Sequence, residues 1–251
     1  MMRRRPRAKA TPATGTLLAL ASGAALAQSL PPEADAQSWH FKLTPSLYSN
    51  RQAPAASDVN LRGNLGPHAL WLGQYRQAGF GEQLRAGYEY TASPDWGQLV
   101  YSLQSAERGF AGGALTAQIG HTLYGIAGWG RTNLQPYYNL NFDPNDAITV
   151  GVGAQWGPQH QISLTRIQDD RLHTGQHVTH LVWRYHPAPG QRLSVDLAQK
   201  RGRSASEGPW LQGTSLSLTW DWSGHFVRLA HDQRVNFSDD TQTRVSLGWR
   251  F

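Results

Sequence analysis

The chain is 251 residues long, enough for one large domain or two small ones, and a formal net charge of +6 comes with a sequence isoelectric point near 9.8. Only 39% of residues are hydrophobic, yet there are 10 Trp, 9 Tyr and 26 Gly, and cysteine is absent. This excludes a disulfide framework, and no segment beyond the N-terminal region offers the ~20 continuous apolar residues of a membrane helix.

The basic charge is concentrated at the start. Residues 1–10 carry Arg3, Arg4, Arg5, Arg7 and Lys9, residues 16–27 form an apolar run of small residues, and Ala25-Leu26-Ala27 supplies a small-x-small cleavage pattern. These features predict a secretory signal peptide over 1–27, a Pro-, Ala- and Gln-rich periplasmic leader over 28–38, and one folded unit over 39–251. Cleavage removes five basic and no acidic residues, so the net charge falls from +6 to +1. The high isoelectric point then belongs to the targeting segment, and no nucleic-acid partner is expected. An exported chain without a membrane helix can span a bilayer only as a closed barrel.

From residue 39 onward, alternation and turn residues mark the strands. Residues 39–49 and 58–65 alternate least cleanly. The runs 69–77, 83–92, 98–106, 114–121 and 123–131 follow, then 147–156, 161–169, 177–186, 192–200, 213–222, 225–235 and 243–251. Fourteen strands would leave roughly 16 residues for each strand and its connection, tight against the ~9–11 that a spanning strand needs. Twelve strands are therefore expected, within a range of 10–14, with 39–49 either an extra strand or an inserted segment.

Connection lengths alternate too. Residues 132–146, 170–176, 201–212 and 236–242 are long, as the outer loops of a membrane barrel are, whereas 157–160, 187–191 and Ser223-Gly224 are short. Trp156, Tyr185 and Trp222 each stand just before a short one, where an aromatic girdle belongs.

Period two is strictest near the end. In 213–222, Thr214, Leu216, Leu218, Trp220 and Trp222 share one face, while Ser215, Ser217, Thr219 and Asp221 share the other. In 243–251, Val245, Leu247, Trp249 and Phe251 oppose Arg244, Ser246, Gly248 and Arg250. A soluble sheet would bury the apolar face, whereas a membrane barrel turns it to lipid. The ending Val245, Leu247, Trp249, Phe251 resembles the C-terminal assembly signal of bacterial outer-membrane β-barrel proteins, and the whole mature chain resembles proteobacterial barrels with no assigned activity. The resemblance implies an all-β, antiparallel up-and-down transmembrane barrel in the outer membrane of a Gram-negative cell. It also implies a monomer surrounded by outer-membrane lipid and lipopolysaccharide and inserted by the barrel assembly machinery.

Alternation sends Arg85, Glu89, Arg184, Arg192, Asp196, Lys200, Asp221, Arg228, Asp232, Arg234, Arg244 and Arg250 toward the lumen. The surplus is basic, which favours anions in an open pore, because a low-dielectric wall focuses the field of its charges. Paired across strands, the same residues would instead fill a narrow interior; Asp196, Asp221, Arg228 and Arg244 stand near enough for that. At the outer strand ends Asp143, Asp146, Asp169, Asp170, Asp239 and Asp240 offer hard oxygen ligands suited to Ca2+ or Mg2+, and are equally ordinary turn residues. No other cofactor is expected. The expected function is a narrow channel or a structural envelope barrel. The alternative is a lipid hydrolase or acyltransferase sited at the outer rim, for which His173, Ser238 and Asp170 are the candidates. Its diagnostic patterns are missing, for there is neither a His-Asp-Ser-Asn-Gly type of run nor a Gly-x-Ser-x-Gly elbow. The helical spacing of His173, His177 and His180 falls on loop and strand, which argues against a zinc site.

Overall fold

The computed structural model describes residues 38–251; the predicted signal peptide and all but the last residue of the predicted leader lie outside them. Fourteen antiparallel strands form one closed sheet in chain order. They are β1 (His40–Asn50), β2 (Ala56–Leu65), β3 (His68–Gln77), β4 (Gly81–Ala92), β5 (Gly97–Ala106), β6 (Phe110–Gly120) and β7 (Leu123–Thr132), followed by β8 (Ala147–Trp156), β9 (His160–Asp169), β10 (His177–Tyr185), β11 (Gln191–Arg203), β12 (Trp210–Trp222), β13 (His225–Gln233) and β14 (Thr241–Arg250). The seam joins β1 to β14, with Leu43 opposite Trp249 and Tyr48 opposite Arg244. Phe41 N–H donates to the Phe251 carbonyl at 2.7 Å, and Phe251 N–H donates back at 3.0 Å. Closure leaves no unpaired edge, the condition for a sheet to cross a membrane.

The strand count is fourteen, the top of the expected range and not its centre. Residues 39–49 are not an insertion: they supply β1, and 58–65 belong to β2. The length is found in the turns. Only Gly66 and Pro67 separate β2 from β3, His121 and Thr122 separate β6 from β7, and Ser223 and Gly224 separate β12 from β13. Ser223 at φ 40° and Gly224 at φ 81° form the positive-φ pair that lets a two-residue hairpin follow the strand twist.

Outward residues make an apolar belt in which Leu47, Leu103, Leu123 and Val152 are 62–75% exposed. Such a belt would drive a soluble monomer to associate, whereas it is the ordinary face of a barrel in lipid. At the end that carries the start of β1 and Phe251, stacked rings border the belt. Trp156 lies 5.2 Å from His160 and His160 4.8 Å from Tyr185, Trp222 lies 6.2 Å from His225, and Phe41 bridges Trp39 at 5.8 Å and Phe251 at 5.9 Å. The longest connection, between β7 and β8, leaves from the opposite end, which makes the ringed end the periplasmic one.

Inside, large rings lie flat over glycines of neighbouring strands: Trp71 over Gly87, Tyr124 over Gly153 and Phe226 over Gly248. A methyl group at any of these three would strike the ring. Part of the glycine content therefore makes room for lumen aromatics.

Candidate functional site

The inner, periplasmic half of the lumen is a basic wall. Lys42, Arg62, Arg184, Arg192, Arg228 and Arg250 stand there against Asp221 and Glu89, within electrostatic reach of one another. Asp221 takes Arg192 at 3.0 Å and also Arg250, and Glu89 takes Arg62 at 2.5 Å. Phe226 packs at the centre, with Lys42 5.7 Å, Arg228 5.7 Å and Arg250 5.5 Å from its centroid. Arg228 donates from Nε to Thr219 Oγ1 at 3.1 Å, and Arg184 donates to Gln161 at 3.2 Å. Two carboxylates cannot neutralise the five guanidinium groups. Further out, Arg85 and Asp58 form a buried pair at 2.5 Å.

Above this wall the loop 133–146 folds into the barrel. Asn139, Leu140 and Phe142 are buried, although they sit in the longest outer connection. Four anchors hold the loop. Tyr137 stacks on Phe110 at 4.1 Å, and Tyr138 stacks on Tyr75 at 4.8 Å while exchanging two hydrogen bonds with Gln83. Phe142 lies beneath the Lys200 ammonium at 5.4 Å, and Asp143 meets His180 Nε2 at 3.0 Å. The other His180 nitrogen, Nδ1, faces Asp196 at 3.0 Å. Only the imidazolium can donate from both nitrogens, so this clamp is a cation between two carboxylates. Burial holds the Tyr137 and Tyr138 phenols above their ordinary range, so they stay neutral.

Two cavities flank the loop. One of about 170 Å³ lies beneath it, with Lys200, Arg228, Asp232 and Arg244 in its lining, and an outer vestibule of about 620 Å³ reaches Asp239 and Asp240. Asn139, Asp143, Pro144 and Asn145 line both, which makes the loop the partition between them.

Most of the alternation-derived lumen residues sit on inward strand positions, but Arg234 does not. β13 ends at Gln233, and Arg234 turns into the left-handed region at φ 54°. Its stem crosses Gly213 at the mouth and its guanidinium pairs with Asp239. Asp196 takes His180, and Asp221 takes Arg192 and Arg250. Lys42, Asp58 and Arg62 were absent from the sequence-derived set because β1 and β2 were its least regular runs. The signal was present: Lys42, Thr44 and Ser46 alternate with Phe41, Leu43 and Leu47.

The outer carboxylates are committed to loops. Asp169 accepts from the N–H groups of Arg171, Leu172 and Thr174 and from the Thr174 hydroxyl, and Asp240 accepts from the N–H groups of Arg51, Gln52 and Ala53. Asp146 takes Thr132 and Arg171, Asp170 takes Arg131 through both oxygens, Asp239 takes Arg234 and Asp143 takes His180. Among the described residues no group of three or more His, Cys, Asp or Glu side chains is placed to hold a metal ion. The rim candidates for lipid hydrolysis stay apart. His173 is exposed at φ 55°, Ser238 accepts from the Asp240 N–H at 3.2 Å, and no hydrogen bond links either to the other or to Asp170.

No family model and no curated protein matches the chain. Solved structures do. The Acinetobacter baumannii outer membrane protein Omp33 superposes with a TM-score of 0.55 at 9% identity, covering 85% of this chain and 98% of that one. The fold is that of a bacterial outer-membrane barrel. The KdgM porin (TM-score 0.47, 9% identity, 84% of this chain and 99% of that one) and a mutant of the Rh. blastica porin (0.49, 9%, 85% and 99%) are also similar, at scores too low to add to that statement. The lipid-facing belt and aromatic ring put the barrel in the outer membrane.

Proposed function

We propose that the protein is an outer-membrane channel for small anionic solutes, narrowed by the loop 133–146. The observation that carries this reading is the inner wall, where five arginines, with Lys42 among them, face two carboxylates. Inside a low-dielectric cylinder such a surplus raises the local concentration of anions and repels cations. The partition supports a narrow path, because the same loop residues line the chamber below and the vestibule above. On this reading residues 1–27 are removed on export, and the assembly machinery inserts a monomer that it recognises through Val245, Leu247, Trp249 and Phe251.

Swelling of liposomes that hold the refolded mature protein tests the proposal. Gluconate should enter faster than a neutral sugar of the same size, and the preference should fall in an Arg192→Gln, Arg250→Gln double variant. Faster entry of the neutral sugar would overturn the reading.

A further inference from the structure

The lipid-facing surface is not uniform around the barrel. On β8 the apolar outward positions continue to Val150 and Ile148, but their partners across the strand pair are Arg166 and Gln168 on β9. The change persists on the next strands, where Thr179 stands opposite Arg166 and His177 opposite Arg201. On β11 and β12 the outer ends carry Arg201, Arg203 and Trp210. The Trp210 ring lies 5.1 Å from the Arg201 guanidinium and 4.7 Å from that of Arg203, and Gly175 of the neighbouring loop packs against it. Arg166 and Arg201 are exposed, Arg166 bonding only its neighbour Gln168 at 3.3 Å.

The charges of this patch are not balanced by the protein. Elsewhere on the rim Arg76 has Glu82, Arg131 has Asp170, Arg171 has Asp146 and Arg234 has Asp239. Among the described residues Arg166, Arg201 and Arg203 make no ion pair, as Arg51 and Arg108 do not elsewhere on the rim; Arg203 donates to the Ser206 carbonyl at 2.6 Å, and the outward positions of β9 to β12 hold no Asp or Glu. A guanidinium on the lipid face is costly at mid-membrane and tolerated at the interface, so the patch belongs at the headgroup level of the outer leaflet. Neighbouring strands are ~4.8 Å apart, so Arg166 and Arg201, two strands apart, can reach one phosphate group with their long side chains.

We infer that the outer ends of β9 to β12 form a binding site for the phosphates of the anionic glycolipid of the outer leaflet, with Arg166, Arg201 and Arg203 as ligands and Trp210 as the platform that holds two of them. The planar fork of arginine suits phosphate oxygens, and juxtamembrane cations attract anionic headgroups. Contact is direct, with no bridging metal ion.

Native mass spectrometry of the refolded mature protein tests this with lipid A that retains both glucosamine phosphates and with the same lipid after phosphate removal, both in EDTA. The phosphorylated lipid should bind about tenfold more tightly, and an Arg166→Gln, Arg201→Gln double variant should lose that margin. Arg76→Gln, on the far side of the barrel, should keep it, and heat-modifiable migration on a gel verifies that each variant folds. Equal binding of the two lipids by the unaltered protein overturns the inference whatever the variants do. So does a phosphate preference that survives in the folded double variant, or one that disappears in EDTA.

Discussion

In the inner half of the lumen, cations outnumber carboxylates and stand on the strands themselves; at the outer mouth, carboxylates are plentiful and Asp146, Asp169, Asp170, Asp239 and Asp240 fasten loops. Lys42 and Arg184 in the first region differ from Asp146 and Asp169 in the second not in burial but in what surrounds them. The outer oxygens already accept from backbone N–H groups and arginines, so their charge is answered within the protein. On the inner wall Glu89 answers Arg62 and Asp221 answers Arg192 and Arg250, and the excess of positive charge over these two carboxylates acts on what passes through the lumen. The balance of charge within each region, and not the total over the chain, is therefore the guide to selectivity.

The largest effect should come from removing the boundary between the two regions. Replacing residues 139–145 with a short Gly-Ser link joins the two cavities, and single-channel conductance should rise several-fold with heat-modifiable migration retained. Unchanged conductance would mean the loop is no constriction. Reversing the inner wall comes next. A Lys42→Glu, Arg228→Glu double variant should move ion preference toward cations, whereas Asp170→Asn at the rim should leave it where it is.

Asp58→Ala leaves Arg85 buried without its partner, and breaking such a pair should lower stability by about 3–5 kcal/mol in a urea titration of the liposome-inserted barrel. The His180 clamp is subtler. Raising the pH until the imidazolium loses a proton removes the donor to one of its two carboxylates, so loop closures recorded as current interruptions should become less stable as pH rises. His180→Gln should flatten that dependence. The smallest effect belongs to the exposed Arg234–Asp239 pair: Arg234→Gln should change stability by less than about 1 kcal/mol and leave ion preference intact.

Much of the barrel was legible in the sequence because period two is a local property, set by which face each side chain takes. The lumen positions of β10 to β14 could be read from alternation alone, and Trp156, Tyr185 and Trp222 could be assigned to the periplasmic ring from their place before short turns. Strand number was harder, since it depends on how few residues a turn needs, and hairpins as short as Gly66-Pro67 left room for two more strands than expected. Arg234 stands at the mouth and not on a strand for a similar reason, because the alternation of β13 runs on past the residue where the backbone turns. The inward loop was the deeper omission. Leu140 and Phe142 are large apolar residues in a connection otherwise rich in Asn and Asp, and an outer loop has little use for them unless it is buried. The His180 clamp could not be read at all, since it joins Asp143, His180 and Asp196 across a loop and two strands.

Reversal potential in a planar bilayer, with the refolded mature protein between unequal KCl concentrations, tests the central claim most directly. The basic surplus of the inner wall predicts steady conductance with a reversal potential of the sign set by chloride. A potential of the opposite sign, or a barrel that conducts no ions at any voltage, would contradict it.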